Sequence, residues 1–278
     1  MRKTSTMWSA VLIAAGLVTG CDDKPSAPLA PTATALKTAK PVTEGAQRFV
    51  IDEASGKTSF AMEAPKEKIR GRVDGAMTGE ASINLSDLSK STLNVVVDIS
   101  GIEIYQRLIG DDGNFKEESK SDMQNDHARE WLEIGESAPE DVRKKNSRAQ
   151  FVARRLDKAS AKDVTKLSGA KRKITATVTG DFLLHGRKSP QTVEVEATFT
   201  FDGDQPKSVS IRTTKPFVVS LAQHDVRPRS TFGKLAQKTL EQMAPKVAKD
   251  AEVSLEFTAK LTGKAAPPAT ATPPPAPE

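Results

Sequence analysis

Three histidines and one cysteine are the first places to look for chemistry in this chain of 278 residues. His127, His185 and His224 lie in three separate segments and include no His-x3-His pair, so a metal site would need all three segments to converge. A single cysteine, Cys21, excludes an intramolecular disulfide framework and a Cys-rich zinc site. Gly-x-Ser-x-Gly and P-loop patterns are absent. Carboxylates are plentiful but fall mostly on expected wet faces, so no pair stands out for acid–base work. Asp126 and Asp181 read as helix or turn hydrogen-bonding groups. These patterns assign no catalytic residue, no metal and no cofactor, and the expectation is a protein that is not an enzyme. Lys and Arg number 41 against 36 Asp and Glu, a net +5, too mild for the basic stripe of a nucleic-acid binder.

The position of Cys21 suggests a different chemistry. Arg2 and Lys3 form a short basic start, and Met7 to Val18 form an apolar run too short to span a bilayer comfortably. The run ends in Leu17-Val18-Thr19-Gly20-Cys21, which resembles a bacterial lipobox. That resemblance implies a signal peptide over 1–20, cleavage before Cys21 and lipidation of its thiol. Several acyl chains on one residue would anchor the protein stably. An ordinary signal peptide with a chance cysteine is the alternative. The expected place is the bacterial cell envelope, periplasm-facing or on the surface. Asp22 and Asp23 leave the choice of inner or outer membrane open.

Residues 21–47 are rich in Pro, Ala, Thr and Lys and read as a semi-extended tether. Residues 264–278 are mostly Ala and Pro and read as a disordered tail. The folded domain is therefore expected over 48–263. Period-2 alternation dominates it. Leu93, Val95, Val97 and Ile99 alternate with polar or smaller neighbours, as do Ile174, Ala176 and Val178. Val193, Val195, Ala197, Phe199 and Phe201 repeat the pattern, and so do Val253, Leu255, Phe257, Ala259 and Leu261. Weaker candidates are 49–62, 69–85, 150–156 and 208–221. Together they predict eight antiparallel strands with one buried and one wet face. An up-and-down barrel removes the exposed edges; a two-sheet sandwich is the alternative. Ser121 can cap a helix over 122–133, Ser137 and Pro139 can open a second, and Ser230 can cap 231–244, whose apolar stripe suits it to cover a barrel end.

An eight-stranded barrel is either filled by its side chains or holds one small ligand. Small residues at expected inward positions (Gly71, Gly79, Ala81, Ala176, Gly180, Ala197 and Ala259) favour a cavity. Glycines that merely relieve tight bends are the other explanation. A wall of Val, Ile, Phe and Ala would suit an apolar ligand.

The run Thr179-Gly180-Asp181-Phe182-Leu183-Leu184-His185-Gly186-Arg187-Lys188-Ser189-Pro190-Gln191-Thr192-Val193 resembles a strand–turn–strand motif of the YceI family. Phe49-Val50-Ile51-Asp52 through Thr58-Ser59-Phe60 resembles the family's opening. The segments Ile69–Val73 with Gly79–Ile83, and Asp126–Leu132, agree in order. The polar 108–121 loop, the insertion 136–147 and the long 231–250 stretch depart from the pattern. The resemblance implies an exported, lipocalin-like barrel, a carrier of polyisoprenoid or another long amphiphile, often a homodimer. Inward strand residues would then line the pocket: Val73, Ala81, Val95, Val97, Ile99, Phe151, Ile174, Ala176, Val178, Phe182, Val195, Ala197, Phe199, Ile211, Leu255 and Phe257. Arg187, Lys188, Arg227 and Arg229 flank strand ends and are candidates for a polar head group, though each reads first as a solvated surface charge. The competing function is an envelope interaction module with a filled barrel and an exposed apolar patch.

Overall fold

The computed structural model describes residues 28–38, 45–64, 66–120, 122–228 and 248–264. The signal peptide, Cys21, Arg229, the 231–244 helix and residues 265–278 of the tail lie outside the described residues.

Thirteen strands form one antiparallel sheet. They are β1 (Ala46–Ile51), β2 (Lys57–Ala64), β3 (Glu67–Asp74), β4 (Met77–Asn84), β5 (Thr92–Asp98), β6 (Glu103–Leu108) and β7 (Ser119–Lys120). After these come β8 (Arg148–Asp157), β9 (Lys171–Leu184), β10 (Arg187–Asp202), β11 (Gln205–Thr213), β12 (Phe217–Ser220) and β13 (Asp250–Lys264). Several are halves of one bent strand. Antiparallel to the bent pair β1 and β2 run β4 and β3, with the register shifting by one residue between the two halves. Likewise β5 and β6 pair with β4 and β3, and β11 and β12 both pair with β13. Counting each bent pair once and setting aside the two-residue β7 leaves eight staves in chain order. They close where β13 meets β1 and β2. This is the up-and-down barrel that the alternation predicts. The short strands β6 and β7 were not legible in the sequence, because Ile104 is the one buried residue of β6 and both residues of β7 are exposed.

The β9–β10 hairpin shows why the run around His185 is so recognisable. Two residues, His185 and Gly186, join the strands, with φ of 49° and 65°. Positive φ at both central residues is the primed turn whose twist matches the flanking strands.

One end of the barrel is filled. Phe49, Ile83, Leu85, Leu88, Val164, Phe199, Phe201, Val209 and Phe257 are all buried there. The small residues Ala81, Ala176, Ala197 and Ala259 belong to the same cluster, where they make room for the rings. Arg172, buried at the start of β9, lays its guanidinium 3.7 Å from the Phe201 ring centre and donates to the Val164 and Thr165 carbonyls.

Two helices follow β7: α1 (Asp122–Trp131) and α2 (Glu140–Asn146), close to their expected positions. Residues 28–38, within the expected tether, lie against the outside of the barrel. Leu36 is buried with Val152 and Leu183. A Pro- and Ala-rich segment can pack here because its few backbone groups find fixed partners, described below.

Candidate functional site

The opposite end of the barrel encloses a cavity of about 140 Å³. One water needs roughly 10–15 Å³ measured this way, so the space is many waters large. Its wall is almost wholly apolar. Val73, Val95, Val97 and Ile99 come from β3 and β5, with Ile99 just past the strand's end. Phe151 and Phe182 face each other across β8 and β9. Leu255, Val253 and Ala251 come from β13, and Phe217 and Val219 from β12. Phe60, Val253 and Leu255 keep some accessible surface.

Seven of the sixteen residues expected to face a ligand border this cavity: Val73, Val95, Val97, Ile99, Phe151, Phe182 and Leu255. The other nine do not. Ala81, Ile174, Ala176, Ala197, Phe199 and Phe257 are buried in the filled end, Val195 and Ile211 pack against it half-buried, and Val178 sits in the cluster of Phe182 and Phe217. The small residues therefore do not open the void. Gly71 and Gly180 instead seat aromatic rings. A Cβ at Gly71 would lie 1.9 Å from the Phe60 ring, and one at Gly180 would meet Phe151 at 2.6 Å and the Val152 carbonyl at 2.4 Å. Each glycine lets a cross-strand ring lie flat on the wall.

Sequence reasoning passed over Thr58, Phe60 and Met62, and likewise Phe217, Val219 and Leu221. A period-2 signal exists at both places. Helix α1 supplies Ala128 and Trp131, and the turn after it Leu132, a contribution that strand periodicity cannot show.

Three polar ties hold α1 over this end. Asn125, buried, accepts from the Ile104 backbone N–H at 2.7 Å. Gln124 donates to Glu67 at 3.0 Å. Burial raises the Glu67 pKa above its ordinary value, against the attraction of His127. Beyond the helix, Glu133 meets His185 Nε2 at 2.9 Å. The other ring nitrogen of His185 faces the His224 carbonyl at 3.0 Å.

His224 is fully buried. Its Nδ1 donates to the Leu184 carbonyl at 3.2 Å, which leaves Nε2 to accept from the Ser189 hydroxyl at 3.0 Å. Burial lowers its pKa, with a smaller push from His185. The histidines are thus tied into the hairpin and turn beside the cavity. Among the described residues no group of three His, Cys, Asp or Glu is placed to hold a metal.

The cavity wall offers little to a charged ligand. Gln150 borders it, but its side chain serves the Leu36 backbone and Asn94. Thr58 Oγ1 has no partner among the described residues. The expected head-group residues stand outside the wall. Arg187 donates to the Ala30 carbonyl at 3.1 Å, Lys188 lies 4.0 Å from Asp181, and Arg227 pairs with Asp225 at 2.8 Å. Arg229 lies outside the described residues. Among the described residues no helix is long and apolar enough to cross a membrane.

A family model described as a YceI-like domain matches residues 49–259. Among solved structures, one similar chain is a polyisoprenoid binding domain from Saccharophagus degradans implicated in plant cell wall breakdown. It has 13% identity and a TM-score of 0.44, over 77% of this chain and 98% of that one. Another is BcnA of Burkholderia cenocepacia, at 15% identity and a TM-score of 0.44, over 76% of this chain and 99% of that one. No curated protein sequence matches the chain.

Proposed function

The chain belongs to the YceI-like family, and from that premise we propose that its barrel binds or carries a long apolar ligand, an isoprenoid-like or other long-chain amphiphile. One observation supports this above the others: an apolar cavity of about 140 Å³ at one end of an otherwise filled barrel. Leaving such a space empty costs on the order of 3 kcal/mol at the cavity coefficient for buried leucine deletions, and a fitting apolar tail would recover it. The mechanism is desolvation of the tail, with no covalent step. The polar head would remain near Arg187, Lys188 and Arg227 at the rim. In this reading Cys21 carries the lipid anchor, and the protein works in the cell envelope.

Native mass spectrometry with organic extraction, on the chain expressed with export, tests the reading. A stoichiometric co-purifying isoprenoid or fatty amphiphile is expected. The Ala149→Phe variant, which places a ring into the cavity wall, should lose that ligand while remaining folded. A mass equal to the bare chain, with no uptake of added polyprenyl lipid, would sink the carrier reading in favour of an interaction module. The anchor is read separately: labelled fatty acid should enter the wild-type chain and not Cys21→Ser.

A further inference from the structure

Residues 28–38 run as a strap across the cavity end. Ala30 N–H donates to the Gln223 carbonyl at 2.8 Å, and Arg187 donates to the Ala30 carbonyl. Thr32 bridges Arg187, Ala33 N–H reaches the Gly186 carbonyl at 2.9 Å, and Lys188 N–H reaches the Pro31 carbonyl at 2.8 Å. Leu36 exchanges two hydrogen bonds with Gln150, and Arg154 takes the Lys37 carbonyl. Most of these partners adjoin the cavity wall. Gln150 is on it, Gly186 and Arg187 follow Leu184, and Gln223 lies between Leu221 and Val226.

The domain's first strand starts at the other end. Ala46 pairs with Asn84, and Gln47 with Lys264, beside the filled core. A plain linker to Ala46 would leave from the closed end. The strap moves the departure point to the cavity end.

From these contacts we infer that the strap turns the cavity end toward a lipid bilayer, so that this end is the surface that meets membrane lipid. The inference rests on the anchor at Cys21 in the reading above. Eight residues, and so nine Cα steps, separate Cys21 from Ala30, the first pinned residue, a reach of at most about 32 Å when fully extended. The turn at Gly203, at the filled end, lies fourteen residues along β10 from Ser189, near which Ala30 is held. That is about 46 Å along the strand, or roughly 36 Å along the axis of a barrel with strands tilted near 40°. With the filled end on the bilayer, the tether would have to be drawn out to about its full length to hold the pinned residue. Cavity end down, the tether is slack. A linker free to Ala46 would impose no such order.

Acylated full-length protein on liposomes containing an acceptor-labelled lipid tests this. Once Cys21 is acylated, an introduced cysteine is the one free thiol. Donor dye is placed at Met123→Cys, exposed on α1, or at Asp204→Cys, exposed in the far turn. Energy transfer should be at least about twofold higher from 123 than from 204, given the tether and strand lengths. Leu36→Ser, which loosens the strap, should shrink the difference with the circular dichroism spectrum unchanged. Equal transfer, or stronger transfer from 204, in acylated protein overturns the orientation alone. Absence of acyl incorporation overturns the anchor and the orientation with it.

Discussion

At the residue scale, two groups carry a pH dependence whose sign is set by their surroundings. The His224 ring is fully buried between the Leu184 carbonyl and the Ser189 hydroxyl. Its folded pKa lies below the ordinary 6.5 because burial disfavours the charged ring. The unfolded chain then binds the extra proton first, so this contribution to stability is whole above pH 6.5 and is lost as pH falls below it. Thermal unfolding followed from pH 7.5 to 5 should show a decline that His224→Gln removes. Glu103 is the opposite kind of site, on the surface. Lys120, Arg72 and Tyr105 all donate to it and hold its pKa at about 2 against an ordinary 4.5. Its ion pairs are complete above about pH 4.5 and fade as pH falls toward 2. A side-chain NMR titration placing the Glu103 carboxyl near 4.5 would contradict the triad.

At the scale of elements, the glycines decide how the wall is shaped. Gly71→Ala places a methyl into the Phe60 ring, and the open side available to that ring is the cavity. The variant should lose roughly 1–3 kcal/mol by denaturant titration and take up less apolar ligand. Gly180→Ala meets a backbone carbonyl that cannot swing away and should be the more damaging of the two. The same elements show what a sequence can reveal. Every stave announced at least part of its length by alternation, and the hairpin at His185-Gly186 by its resemblance to the family's strand–turn–strand motif. The cavity did not. The strongest alternation, in β9 and β10, marks the end where small residues and rings fit each other most completely. Thr58, Phe60 and Met62 alternate less cleanly around the void. The α1 contribution needed the Asn125, Gln124 and Glu133 ties, which pair residues far apart in the chain.

At the scale of the whole molecule, the barrel has a division of labour along its axis. The filled end carries stability and the cavity end carries capacity, so the two should separate under mutation. Phe199→Ala removes a ring that is 2% exposed and far from the cavity wall. It should cost about 3–5 kcal/mol in urea unfolding yet leave ligand stoichiometry intact at low temperature. Loss of ligand at full fold content would show that the two ends are not independent.

The seam between β13 and the first two strands has a temporal consequence. β13 bonds to four strands, β1, β2, β11 and β12, and it contributes Ala251, Val253 and Leu255 to the wall. A chain threaded through a translocation channel from its N-terminus has no interior until this strand has followed. On the proposed reading of an exported carrier, the barrel would therefore cross empty and take up its cargo only where the seam zips shut.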